Sequence, residues 1–201
     1  MHNSAEFSQK LHLEIAQSIN GTECPGDDKS RIAAALFDIV HEHHQAVLCL
    51  IQNKLYGSAA SLLRSIVESY ARGVWVLKCA SNKDIEQFKR DRFKDGTFED
   101  RLKEIHDIED NPHSSALLNL KVIAWNALNS YTHGGFRAIS RRFKEGELAP
   151  NYSLEEITGI ERLSNAFAIL AVFQIAELQN NSLLLAFAEK TSLEFKRVYT
   201  N

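Results

Sequence analysis

Apolar residues recur every three or four positions along almost the whole chain, and that rhythm leaves few choices of fold. Phe7, Leu11, Ile15 and Ile19 step by four, and Ile32, Leu36, Ile39, Val40, Val47, Leu50 and Ile51 share one face of a longer segment. This is the period of an amphipathic helix; a strand would scatter these positions over both faces. Chain breakers are scarce: 3 Pro and 9 Gly in 201 residues argue for long uninterrupted helices and against a turn-rich β protein. The length suits one well-cored domain over residues 1–201. The expected architecture is all-α, a single-domain bundle of about six to eight mostly antiparallel helices.

Local signals divide the chain. Asn20-Gly21 ends a first helix over 4–19, and a loop with Pro25 and Gly26 precedes a second over 28–53. Tyr56-Gly57 reads as the break and Ser58 as the N-cap of a helix over 59–80, which pairs antiparallel with its predecessor. Asn82 is the expected cap of 83–93, Asp95-Gly96 a turn, and Thr97-x-x-Asp100 a capping box for 98–109. Beyond Asn111-Pro112, Ser114 or Ser115 opens a helix that runs to His133. Ser153-x-x-Glu156 opens a helix over 154–179, and Asn180-Asn181 separates it from 182–198. No repeat and no convincing strand pair is visible.

Cys24, Cys49 and Cys79 are odd in number and contain no Cys-x-x-Cys pair. Cys49 and Cys79 sit among apolar neighbours in sequence, where a free thiol behaves as a small hydrophobe. The pattern is that of a reduced protein, so a cytoplasmic location is expected. Residues 1–10 lack the apolar stretch of a secretory signal. The run 167–178 is interrupted by Gln174 and Glu177 and is too short to span a bilayer, so it reads as a buried helix with no membrane partner. A net charge of −3 does not suggest a general nucleic-acid binder; contact with RNA would need a local basic patch.

Two polar clusters stand out from the helical background. Asn126, Asn129, Ser130 and His133 fall on one face of the helix closed by Gly134-Gly135, with Leu120, Ala124, Ala127, Leu128 and Tyr131 opposite. Asn and Ser are poor helix formers, and a face needing only solubility would carry Lys and Glu instead. The cluster is therefore either a site or a buried polar seam. His133 is either a C-cap residue beside a left-handed Gly134 or a general acid or base. The second cluster is Arg64, Glu68 and Arg72 at four-residue steps, beside an apolar face and a small-residue stripe of Ser65, Ser69 and Gly73. A helix occupied on nearly every side is central, so its charges are partly buried and must be paired. Either they form a structural network, or Glu68 holds an arginine whose planar fork faces a pocket and binds phosphate or carboxylate.

Directly after the glycines, Arg137, Arg141, Arg142 and Lys144 interleave with Phe136, Ile139 and Phe143, a stretch suited to RNA phosphates, a nucleotide or an acidic partner. His41-Glu42-His43-His44 lacks the spacing of helical metal sites, and His43 falls on the apolar stripe as a core or interface residue. Nothing resembles a phosphate loop, a dinucleotide fingerprint or a nucleophile elbow, and neither a metal nor a cofactor is expected.

Taken together, the Arg64-x-x-x-Glu68 helix leading to Trp75 and the Ser130-Tyr131-Thr132-His133-Gly134-Gly135 turn resemble a group of uncharacterised bacterial all-helical proteins. These are distantly similar to the HEPN superfamily of helical nucleases and defence proteins. The resemblance covers 58–80 and 127–135. It implies a helical bundle, often a homodimer, that cleaves RNA without metal through an Arg and a His separated by four to six residues. The positions that would hold that arginine are Asn126, Ala127 and Leu128. Arg101-x-x-x-x-His106 fits the spacing, but Leu102 replaces the usual polar residue. The arginine must then come from Arg64, Arg72 or Arg137. The expectation is a ribonuclease of a defence or toxin system. In it His133 is the general acid or base, Asn126 and Asn129 orient the substrate, an arginine held by Glu68 stabilises charge, and Ser130, Arg137 and Arg141 touch phosphate. The alternative is a non-catalytic binding or dimerisation module, with RNA or a protein as partner, in which both clusters are structural.

Overall fold

The computed structural model describes residues 2–24, 26–92, 96–109 and 112–199. Pro25 lies outside them, as do Phe93, Asp95 and Asn111, where a helix end, a turn and a break are expected. Nine helices occur among the described residues: α1 His2–Ile19, α2 Asp28–Gln52, α3 Tyr56–Lys78, α4 Asn82–Lys89, α5 Phe98–Ile108, α6 Pro112–Thr132, α7 Phe136–Ser140, α8 Leu154–Leu178 and α9 Ser182–Tyr199. The fold is an all-α bundle. One strand pair departs from the sequence reading: β1 (Phe143–Lys144) and β2 (Glu147–Leu148) form a minimal antiparallel hairpin. Its turn residues Glu145 and Gly146 both have positive φ, 53° and 90°, the backbone of the tight turn that suits strand twist.

Helix α3 is the hub, touching α2, α5, α6 and α8. Its small-residue stripe works at Gly73, where the Phe37 ring of α2 lies so close that a Cβ would come 2.5 Å from Cε1. Phe37 and Gly73 lie at similar sequence distances from the turn between α2 and α3, so the two helices run antiparallel. Behind Phe37, Tyr70 packs at 5.8 Å between ring centroids and meets Phe167 of α8 edge-on at 5.3 Å. Helix α8 has the length and apolar composition of a membrane span, which its run 167–178 alone does not, yet 61% of its apolar 18-residue window is buried in the bundle. On its far side α1 and α9 close the core, tied by Asn165, whose Nδ2 donates to Ser8 Oγ (2.7 Å) and Tyr199 Oη (2.9 Å).

Several local expectations are corrected. The α2–α3 break falls at Lys54 (φ 60°), and the Leu55 N–H returns to the Leu50 carbonyl at 2.8 Å. This is a Schellman closure on a non-glycine residue. Tyr56 and Gly57 therefore open α3, whose N-cap is Leu55 rather than Ser58. Ser81, not Asn82, caps α4 through a capping box with Asp84. Along α2 the buried stripe is turned by about one residue, because α2 lies between α3 and α8. Ile39 is exposed, while His41 and His44, rather than His43, are buried. His41 Nε2 faces the Ala168 carbonyl at 3.0 Å and His44 Nδ1 faces Ser164 Oγ at 2.9 Å. Burial pushes the two imidazoles down, to about 4 and about 3. Cys49, placed by sequence among apolar neighbours, is exposed, and so is Cys24.

Candidate functional site

The C-terminal end of α6 is held against the first turns of α3 by an exchange of hydroxyl bonds. Ser61 Oγ donates to the Tyr131 carbonyl at 2.9 Å, and Thr132 Oγ1 donates to the carbonyls of Leu128 (3.0 Å) and Ser61 (3.4 Å). Helix α6 then stops by glycine chemistry. Gly134 takes φ 65°, and the Gly135 N–H returns to the Ser130 carbonyl at 2.7 Å. A Cβ on Gly135 would come 2.6 Å from Ser130 Oγ and 3.0 Å from its Cα, so the chain closes here only with glycine. His133 is left as the last residue before the reversal, exposed, on the side that faces α3.

One turn beyond Ser61 on α3 stands Arg64. Its Nε donates to Glu68 Oε1 at 2.9 Å, and its Nη1 meets His133 Nε2. A guanidinium can only donate, so Nε2 accepts and a neutral His133 ring carries its proton on Nδ1. The guanidinium carbon lies over the Trp125 ring of α6, 5.1 Å from its centroid. Trp125 is in turn stacked on Phe98 of α5, 4.0 Å away and 4° from parallel. Arg64 is thus fixed on three sides, by a carboxylate, an imidazole and an indole, while 23% of its side chain and 31% of that of Glu68 remain open to solvent. A cation anchored in this way is preorganised for a carboxylate or a phosphate.

The structure brings Arg64 and Glu68 of one sequence cluster together with His133 of the other. Arg72 is half-buried one turn beyond Glu68. Asn126 is exposed on the outer face of α6, whereas Asn129 is half-buried with Oδ1 sealed from solvent and without a hydrogen-bond partner. Ser130 is engaged internally: its Oγ accepts from the Arg137 N–H at 3.0 Å and starts α7. Arg141 is bound to Glu156 at 2.6 Å, which holds its guanidinium above the ordinary value, while the Arg137 side chain is exposed. Trp125 is absent from the sequence reading, although Trp125, Asn129 and His133 recur at four-residue steps. Among the described residues no group of three His, Cys, Asp or Glu side chains could hold a metal ion.

Neither the curated proteins nor the solved structures contain a match to this chain. A family model does match, over residues 37–201, which span the whole of the Arg64–His133 centre and leave α1 and the first turns of α2 outside. The chain therefore belongs to DUF6988, described as a family of unknown function.

Proposed function

We propose that the Arg64–Glu68–His133 centre is a phosphodiester site and that the protein is a metal-independent endoribonuclease of HEPN type, serving a defence or toxin system in the cytoplasm. One observation carries the reading: the guanidinium of Arg64 and the imidazole of His133 meet from positions 69 residues apart. That contact supplies the arginine missing from the residues just before His133. A phosphate arriving from solvent takes over the Nη1 donor now spent on His133 and frees Nε2. His133 then accepts the proton of a ribose 2′-hydroxyl, and that oxygen attacks the adjacent phosphorus. The bond to the 5′-oxygen breaks, and the leaving oxygen takes a proton from water. Arg64, oriented by Glu68, neutralises the pentavalent charge.

The test is incubation of the purified full chain with single-stranded RNA in excess chelator. Cleavage is expected, and His133→Ala should reduce it by a factor of about 10²–10⁴, the usual contribution of a general acid–base group. Cleavage that survives the substitution removes His133 from the mechanism. The second reading, a non-catalytic dimerisation module, has its own support. Val122, Ile123 and Phe136 are 78%, 83% and 81% exposed on α6 and α7, where a second copy would cover them. A chain that self-associates through this face and leaves RNA intact favours that reading.

A further inference from the structure

Beside the Arg64–His133 centre, at the N-terminal end of α3, lies a cavity of about 480 Å³. That volume is within the range of about 300–1,000 Å³ usual for small-molecule sites. One wall is aromatic: Tyr131 and Tyr152 lie with ring centroids 6.5 Å apart and planes 27° from parallel, and Tyr56 backs Tyr152 at 5.5 Å. The facing wall is the first turn of α3, Gly57, Ser58 and Ser61, and α7 contributes Ala138 and Ile139. Gly57 is what lets the two walls approach, since a Cβ there would lie 3.0 Å from Tyr152 Oη.

The Tyr152 hydroxyl reaches towards the Gly57 wall, buried and without a hydrogen-bond partner. The N-cap residue Leu55 makes no side-chain cap bond, so the first N–H groups of α3 are left to other acceptors. The Ser58 hydroxyl stands beside them, and Arg142 is exposed at the rim. Its neighbour Arg141 is tied to Glu156, whereas Arg142 pairs with no acidic side chain among the described residues. Aromatic walls, hydroxyl groups on the lining and a cation at the mouth are complementary to a planar heterocycle that carries polar edge groups and is joined to a phosphate. Aromatic side chains holding unstacked bases beside basic groups are the general means of binding single-stranded RNA.

We propose that this cavity is a base subsite: it takes one unstacked nucleobase of a single-stranded RNA whose phosphate lies on Arg64 and His133. The choice of an RNA base rests on the phosphodiester reading above. The placement supports a single strand threading both features, since Ser61 is one helical turn from Arg64 and Tyr131 is two residues before His133. Tyr131 and Ser61 therefore join the two sites through the hydrogen bond already described.

The experiment is a titration of the full chain with each of the four ribonucleoside 5′-monophosphates and with ribose 5-phosphate, which carries the phosphate without a base. At least one nucleotide should bind saturably and about tenfold tighter than ribose 5-phosphate, in keeping with the stacking of one base. Ala138→Phe fills the slot from α7 and should abolish that preference with the melting temperature unchanged. Should that variant unfold, Tyr131→Leu removes one aromatic face and should weaken nucleotide binding alone. Equal binding of ribose 5-phosphate and all four nucleotides overturns the proposal, as does a folded Ala138→Phe that binds like the parent. The RNA cleavage assay separates the two claims. Base binding without cleavage keeps the subsite and sinks the nuclease, and cleavage without base binding does the reverse.

Discussion

Gly73 shows how much a single missing atom decides in this molecule. The Phe37 ring lies 2.5–3.0 Å from where its Cβ would be, and Tyr70, fully buried, blocks the ring's retreat. Gly73→Ala gains up to about 1 kcal/mol of helix propensity but overpacks a closed core at a cost of about 1–3 kcal/mol. The variant should lose about 1–2 kcal/mol in a urea titration; a gain would show that Phe37 repacks freely. At this scale the sequence was half legible. Gly134 announced its left-handed cap, and the polar face ending in His133 was visible as unusual composition. Trp125 does not stand out in sequence because an indole on a helix reads as core, although its register matches that of Asn129 and His133. The contact of Arg64 with His133 lies beyond any local pattern, since it depends on how α3 and α6 cross.

Whole elements were easier to read where side chains do the capping. The Thr97/Asp100 and Ser153/Glu156 boxes form as their spacing requires, and α8 starts at Leu154 on the second of them. Ser153 Oγ accepts from the Glu156 N–H at 3.2 Å, and Glu156 Oε2 accepts from the Ser153 N–H at 2.9 Å while Oε1 binds Arg141. Ser153→Ala should cost about 1 kcal/mol, the usual value of an N-cap, seen as a lowered denaturant midpoint. No change would mean that Glu156 holds the turn unaided. Boundaries made by backbone geometry alone leave no such mark in the sequence. Lys54 closes α2 in a left-handed conformation with no glycine to mark it, so the break seemed to belong to Tyr56-Gly57. The glycine there serves a contact with Tyr152 instead.

For the molecule as a whole, the period of the apolar residues was enough to give the bundle, and the face that α2 buries was not, since this depends on which helices flank it. That rotation has a thermodynamic consequence. His41 and His44 titrate near 6.5 in an unfolded chain but are pushed by burial to about 4 and about 3 in the folded one. Between these limits the unfolded chain binds protons that the folded chain refuses, so stability is full above pH 6.5 and falls as the pH drops towards 3. Each ring should contribute about 1.4 kcal/mol per pH unit across its window. Urea midpoints measured from pH 7 to pH 4 should decline, and His44→Gln should flatten the slope; an unchanged slope would show that the ring is accessible to protons in the native state. The two indoles, finally, divide their duties. Trp75 is buried and its Nε1 donates to Glu104 at 2.5 Å, whereas Trp125 lies directly beneath the Arg64 guanidinium. The protein thus carries an optical witness beside the cation of its candidate site and a steady lamp in its interior, and light emitted by the first registers whatever charge comes to rest there.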